Sequence, residues 1–207
     1  MDHKILYRGK ISGTKEWTTG TPFIFGDRCK MIHALAVHQD FVDDGNVYYS
    51  EGFPVDIETV GQYTGCHDST KWEELSASEK EDFIRKGCKQ SEWNGKQIFV
   101  GDIVRYTNHE DFTCCSIVKF GEYFQDGSGG EYGPSKCIGL YVDVDSFDLP
   151  DWMDGCDDED DYWYYFKRYL RQQNLLEVCA ECKVIGNIYD SQELLRSSKR
   201  VIYKERE

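Results

Sequence analysis

The sequence predicts a mainly β protein, a β-rich α+β chain built on a small SH3-like, half-open β-barrel, with an N-terminal β segment and two or three short helices. Three observations predict it. Short apolar or alternating runs recur through most of the chain, each bounded by Gly, Asp or Asn turn residues. The aromatic content is 14%, and most of it is Tyr and Phe, which suit half-buried strands. Capped helix signatures are few, and each is short.

Taken in order, residues 4–65 read as β-rich. Ile5-Leu6-Tyr7-Arg8 is a short strand, Ser12-Gly13-Thr14 a turn, and residues 17–20 open a second run. Pro22-Phe23-Ile24-Phe25-Gly26 is the next, ended by Gly26-Asp27. Residues 34–38 are apolar enough for a buried strand, and Asp43-Asp44-Gly45-Asn46 is a turn before Val47-Tyr48-Tyr49. In residues 58–65, Thr59, Gly61 and Tyr63 alternate with Val60, Gln62 and Thr64, as in a bent strand carrying a glycine. A helix follows, with Ser78 and Glu81 as a capping box, Phe83 and Ile84 as its apolar edge and Gly87 to end it. Trp72 and Leu75, just upstream, are placed to staple that helix to the body.

Asn94-Gly95 is a turn dipeptide, Ile98-Phe99-Val100 a short strand, and Gly101-Asp102 a corner before Ile103-Val104-Arg105-Tyr106. Residues 100–106, 114–120, 136–144 and 180–189 are the candidate strands of the barrel, with a Gly-rich loop at 126–130. Residues 162–177 read as a helix: Tyr162, Phe166, Tyr169 and Leu170 share a face, and Lys167, Arg168 and Arg171 follow an acidic lead-in. Asp190 is placed to N-cap a last short helix over 191–196, with Glu193 as its box partner. The organisation expected is an N-terminal β-rich segment (1–65), an inserted helical segment (66–97), a barrel-like region with an acidic loop and helix (98–190), and a short C-terminal helix and tail (191–207). Together they are expected to form one compact domain.

The chain has 207 residues, enough for one sizeable domain or two small ones, and its 40% hydrophobic content can fill a core. The formal net charge is −14, which argues against binding a phosphate backbone and permits binding a basic partner. No apolar run approaches the roughly 20 residues of a membrane span. The opening residues lack the apolar core of an export signal. The nine cysteines are therefore expected to be reduced thiols in a cytosol.

Four constellations invite a chemical reading. Cys179 and Cys182 form a C-x-x-C, a weak metal candidate because a structural zinc site needs four ligands. The adjacent Cys114 and Cys115 would point to opposite faces of a strand and complete such a site poorly. Cys66-His67-Asp68 spells nucleophile, base and orienter in a row, but such triads assemble from distant residues. The carboxylates of residues 143–161 fail the EF-hand template, since Asp143 and Asp145 are followed by Ser146 and Phe147. That acidic segment, with Asp151, Trp152, Asp154, Asp157, Asp158, Glu159, Asp160 and Asp161, is instead a candidate docking surface for a basic protein partner. Phosphate-loop, dinucleotide and serine-hydrolase motifs are absent, and no catalytic residue or cofactor is assigned.

Read together, residues 58–65, 94–104 and 184–195 resemble the YopX family of phage and prophage proteins. Tyr7-Arg8-Gly9-Lys10 with Trp17 and Gly20 also resembles that family's opening. The motif positions are Gly61, Gln62, Tyr63 and Gly65, then Gly95, Gly101 and Asp102, then Gly186, Asn187 and Asp190. The resemblance implies a mainly β fold and a mobile-element origin, and it brings no catalytic residue, cofactor or substrate. Residues 69–92 intervene where shorter relatives run straight on, and the acidic segment is a second elaboration. Both are places where partner specificity would lie.

The leading expectation is a non-enzymatic accessory protein in the cytoplasm of a bacterial host, acting by binding a protein or by self-association, with no direct nucleic-acid or membrane contact. The second is an acidic decoy that imitates nucleic acid to occupy a host defence or DNA-binding protein. The third is a protein that sequesters a nucleotide or other small molecule.

Overall fold

In the computed structural model, residues 6–37, 48–108, 111–125, 135–148 and 172–196 are described. The alternating runs form antiparallel sheets, with few and short helices between them, so the fold is mainly β. The chain divides into two compact units, Met1–Tyr63 and Thr64–Glu207. The inserted helical segment and the barrel-like region share the second unit.

The first unit is a meander of β1 (Tyr7–Lys10), β2 (Trp17–Phe25), β3 (Arg28–Val37) and β4 (Tyr48–Val55). The runs at 17–20 and 22–26, expected as two strands, are one, because Pro22 pairs with Met31 without interrupting the ladder. The buried centre is small: Cys29, Met31 and Val55, with Tyr7 and Val60 against them. Cys29 pairs with both Ile24 and Val55, which puts its side chain and theirs on one face of the sheet. Residues 57–59 form a 3-10 turn, so β5 (Gly61–His67) begins later than the alternation suggests. Gly61 and Gln62 pair with Arg8 and Tyr7. The turn expected at 43–46 lies outside the described residues.

The second unit holds the end of β5, β6 (Gln97–Phe99) and an open sheet of β7 (Asp102–Thr107), β8 (Thr113–Gln125), β9 (Ser135–Asp148), β10 (Gln172–Asn174) and β11 (Lys183–Asn187). Its strand order, β10-β9-β8-β7-β11, runs from one edge to the other without closing into a barrel. Inward residues of β7, β8 and β9, among them Val104, Tyr106, Val118, Val142 and Phe147, pack with Ile98, Phe112 and Leu175 into one core. Fully burying a side chain of this size contributes about 1.5–3 kcal/mol. Phe112 meets Phe147 edge to face at 5.6 Å, and Tyr123 stacks on Tyr141 at 5.1 Å.

Three helix expectations change. The helix α1 (Ala77–Arg85) is capped by Ser76 and Glu79, not by Ser78 and Glu81. Both spacings satisfy the motif, but Leu75 is buried immediately before Ser76 and fixes the chain entry there. Lys96 also holds Glu79 in place at 2.7 Å. The predicted helix over 162–177 does not extend through its end. Gln172–Asn174 is strand β10, paired with Tyr141, Val142 and Asp143 of β9, and only Leu175–Val178 (α2) is helical. The Asn174 side chain accepts from Leu176 N–H at 2.9 Å, capping a new helix rather than continuing one. The last helix, α3, is Glu193–Arg196, and Asp190 is not its cap. Its own N–H and that of Tyr189 both donate to Asn187 Oδ1, at 3.0 and 2.9 Å, making a side-chain turn.

Candidate functional site

The motif residues assemble from their backbone requirements upward. Asp102, 1% exposed at the start of β7, accepts the Phe99 N–H at 2.8 Å and so closes the corner between β6 and β7. Gly101 donates to Val118 O and accepts from Ile188 N–H, which ties that corner to β8 and to the chain leaving β11. Gly186 admits the Ser191 and Leu194 side chains, since an added Cβ would lie 2.6 Å from Ser191. Blocks far apart in sequence, residues 94–104 and 184–195, thus meet along the β7–β11 pairing. The glycines of these blocks serve close packing and turns.

One residue outside the motif organises the inserted segment. Asp68, 4% exposed, accepts four hydrogen bonds: from Thr70 N–H at 3.0 Å, Thr70 Oγ1 at 2.8 Å, Lys96 N–H at 2.7 Å and Val184 N–H at 2.9 Å. A carboxylate can satisfy that many donors, which a neutral side chain of its size cannot. It joins the start of the insertion, the Asn94-Gly95 turn and β11. Gly95 lies directly against it, with φ +108°, and a Cβ there would come within 1.9 Å of Asp68 O. Ser69 extends the tie, its N–H and Oγ both donating to Cys182 O at 2.8 Å.

Above this joint lies an open groove of about 740 Å³. Its walls are two 3-10 turns, Trp72–Glu74 and Gln90–Glu92. Trp72 and Trp93 line it with Lys71, Glu73, Gln90, Ser91 and Asn94. The tryptophans are held by each other and by Phe83 of α1, with ring centres 6.0 Å apart for Trp72–Trp93, 5.8 Å for Trp72–Phe83 and 5.2 Å for Phe83–Trp93. Trp93 Nε1 donates to Thr70 O at 2.8 Å, fixing one ring to the groove floor. Lys80 sets its ammonium over Trp72, 5.9 Å from the ring centre. Two ion pairs brace the same segment, Glu79 with Lys96 and Glu74 with Lys183, each at 2.7 Å. The Lys96 bond, helped by Ser76, lowers the Glu79 carboxyl to about 2. Lys183 lowers Glu74 as well.

The sequence-predicted chemistry takes other positions. Cys66, His67 and Asp68 do not form a nucleophilic triad, since the carboxylate is engaged by Thr70, Lys96 and Val184. Burial, then Cys179, pushes the Cys66 thiol up to about 11. Burial lowers His67, with the Asp68 charge pulling the other way. Cys179 and Cys182 flank the turn after α2, and Cys182 is buried in the same core cluster as Cys66 and Cys114, with Cys179 packed against that cluster. Among the described residues no group of three or more His, Cys, Asp or Glu side chains is arranged to hold a metal ion. The acidic candidates Asp151, Trp152, Asp154, Asp157, Asp158, Glu159, Asp160 and Asp161 lie outside the described residues. No described helix is long and apolar enough to cross a membrane.

Sequence reasoning singled out Asp68 only as the third member of Cys66-His67-Asp68, and missed its role as a joint and the groove beside it. The available signal was the presence of Trp72, Phe83 and Trp93 in an otherwise polar insertion, a set with too few apolar neighbours to be an ordinary core. By fold and site this is a mainly β chain carrying an aromatic groove on an inserted segment. Compared with protein-family models, curated proteins and solved structures, the chain matches none.

Proposed function

We propose that this is a non-enzymatic binding module, a YopX-like phage or prophage accessory protein working in the cytoplasm of a bacterial host, and that the groove of the inserted segment is its docking surface for a basic protein partner. The carrying observation is the pair Trp72 and Trp93, fixed around an open groove by Phe83 and the Thr70 carbonyl. Rigid tryptophans at the centre of a concave polar surface are what binding hot spots are made of. The Lys80 ammonium over Trp72 is an internal example of the cation contact an arginine or lysine side chain would make there. The net charge of −14 favours a basic partner at long range. The family reading rests on the three sequence blocks alone, and the non-enzymatic reading on the structural use of Asp68 and the protonated, buried Cys66.

A second reading has one observation in its favour. The groove's volume, about 740 Å³, falls in the range of small-molecule sites, and a planar molecule would stack on the same rings. Calorimetry with an arginine-rich peptide tests the basic-partner reading. Weakening by Glu73→Gln but not by neutralising Asp157, Asp158, Asp160 and Asp161 supports docking at the groove. The reverse pattern transfers the function to the acidic segment and the decoy reading. No binding by any variant overturns the basic-partner reading.

A further inference from the structure

The apolar inner face of the second unit's sheet runs on past the end of its core. Val118 of β8 pairs with Val142 of β9, and both are fully buried in the core cluster. Residues two positions further along each strand point to the same face. On that face β8 continues with Phe120, Glu122 and Phe124, opposite Leu140, Ile138 and Lys136 of β9. Leu140 still packs against the core cluster. Around and beyond it, Phe120, Ile138 and Phe124 are 65%, 74% and 58% exposed. The other face is closed, because Tyr123 and Tyr141 stack there and are buried. Among the described residues, β7 pairs with β8 over 113–117 and β10 with β9 over 141–143, so this end of the hairpin extends as a two-stranded ribbon.

We propose that this ribbon face is a self-association surface, on which a second copy of the chain docks through Phe120, Phe124 and Ile138 to form a weak two-fold dimer. A ribbon face turned to water carries polar residues, whereas here the apolar alternation of the core face is kept. Diagonal neighbours across a strand pair lie about 7–8 Å apart, within reach of side chains of this length, so the three form one patch. At these exposures they present on the order of 400 Å² of apolar surface, the size of the largest and often functional patch on a monomer. Charge selects the occupant. Glu122 and Lys136 pair with each other at 2.7 Å, so the face is neutral in a chain of formal net charge −14. A basic partner finds no unbalanced carboxylate on it, and a second acidic copy meets no local repulsion there. Two such faces together remove on the order of 800 Å² from water, short of the roughly 1,200–2,000 Å² of a stable complex, which makes the dimer weak and concentration-dependent. A face that meets its own copy closes as a pair and leaves no free end to grow a filament. The groove takes no part, since none of these residues lines it.

Sedimentation equilibrium of the full-length chain, in reductant and from about 10 µM to about 1 mM, tests this. The expected result is a reversible monomer–dimer equilibrium that tightens as sodium chloride rises from about 0.05 to about 0.5 M, because screening relieves the repulsion between two chains of like charge. Docking of a basic partner in the groove responds to salt in the opposite sense. Ile138→Lys should weaken the dimer at least about tenfold, although its added positive charge lessens the repulsion between copies. Phe124→Ser should weaken it comparably without a change of charge. Leu176→Ser, at a residue 72% exposed on α2, is the control and should leave the dimer unchanged. Near-ultraviolet circular dichroism verifies that each variant keeps its packing, and the wild-type series alone decides whether a dimer forms. A chain that stays monomeric at the highest concentration, a dimer that Ile138→Lys and Phe124→Ser leave intact, or a dimer that salt dissociates overturns the proposal.

Discussion

Replacing Asp68 with alanine removes the acceptor of four hydrogen bonds in one step, three of them from the backbone N–H groups of Thr70, Lys96 and Val184. A hydrogen bond to a charged group contributes about 1.5–3 kcal/mol, and a buried donor left without a partner costs about 1–3 kcal/mol. Lys96 and Val184 are only half-buried, so water will satisfy part of that loss. The destabilisation expected for Asp68→Ala is therefore about 3–5 kcal/mol. Asp68→Asn keeps one carbonyl oxygen for Thr70 N–H and Lys96 N–H but turns an NH2 toward Val184 N–H, donor against donor. Its loss should be smaller, about 2 kcal/mol. Urea unfolding gives both values, and hydrogen exchange at the Lys96 and Val184 amides localises them. If both variants unfold within about 1 kcal/mol of the wild type, Asp68 is not the joint between the insertion and β11.

Other outcomes follow from the same region. Ser76→Ala should lower stability by about 1 kcal/mol through loss of the cap, whereas Ser78→Ala should stay within about 0.5 kcal/mol; equal effects would restore the Ser78–Glu81 box. Gly95→Ala, facing Asp68 O at 1.9 Å, should lower the urea midpoint by the equivalent of at least about 2 kcal/mol. The Glu79 carboxyl, lowered from 4.5 to about 2, stabilises the fold above pH 4.5 and loses that contribution as pH falls toward 2. Acid titration of α1 helicity should show that loss, and Glu79→Gln should abolish the acid-dependent step while weakening the helix at neutral pH.

The parts of the fold carried by local backbone chemistry were legible in the sequence. Asn94-Gly95, Gly101-Asp102 and the runs that became β7, β8 and β9 announce themselves because turn residues and alternation act within a few positions. The end of the predicted helix over 162–177 was misread because Gln172 and Gln173 suit a helix by local propensity, and their pairing with β9 is a long-range event. Ser76 and Ser78 offer the same capping pattern, and only burial of Leu75 and the Lys96–Glu79 pair distinguish them. The candidate site was least legible. Asp68 looks like a member of a catalytic triplet until the donors from Lys96 and Val184 converge on it.

The central claim is that the groove between Trp72 and Trp93 is where this protein binds a basic partner. The most direct measurement is a site-resolved NMR titration of the full-length chain with an arginine-rich peptide, following the indole N–H signals of Trp72 and Trp93. The account predicts saturable shifts at those two signals and at Gln90, Ser91 and Asn94, diminished by Glu73→Gln and by added salt. Saturable binding that leaves both indoles unmoved, with its shifts elsewhere on the chain, would contradict it.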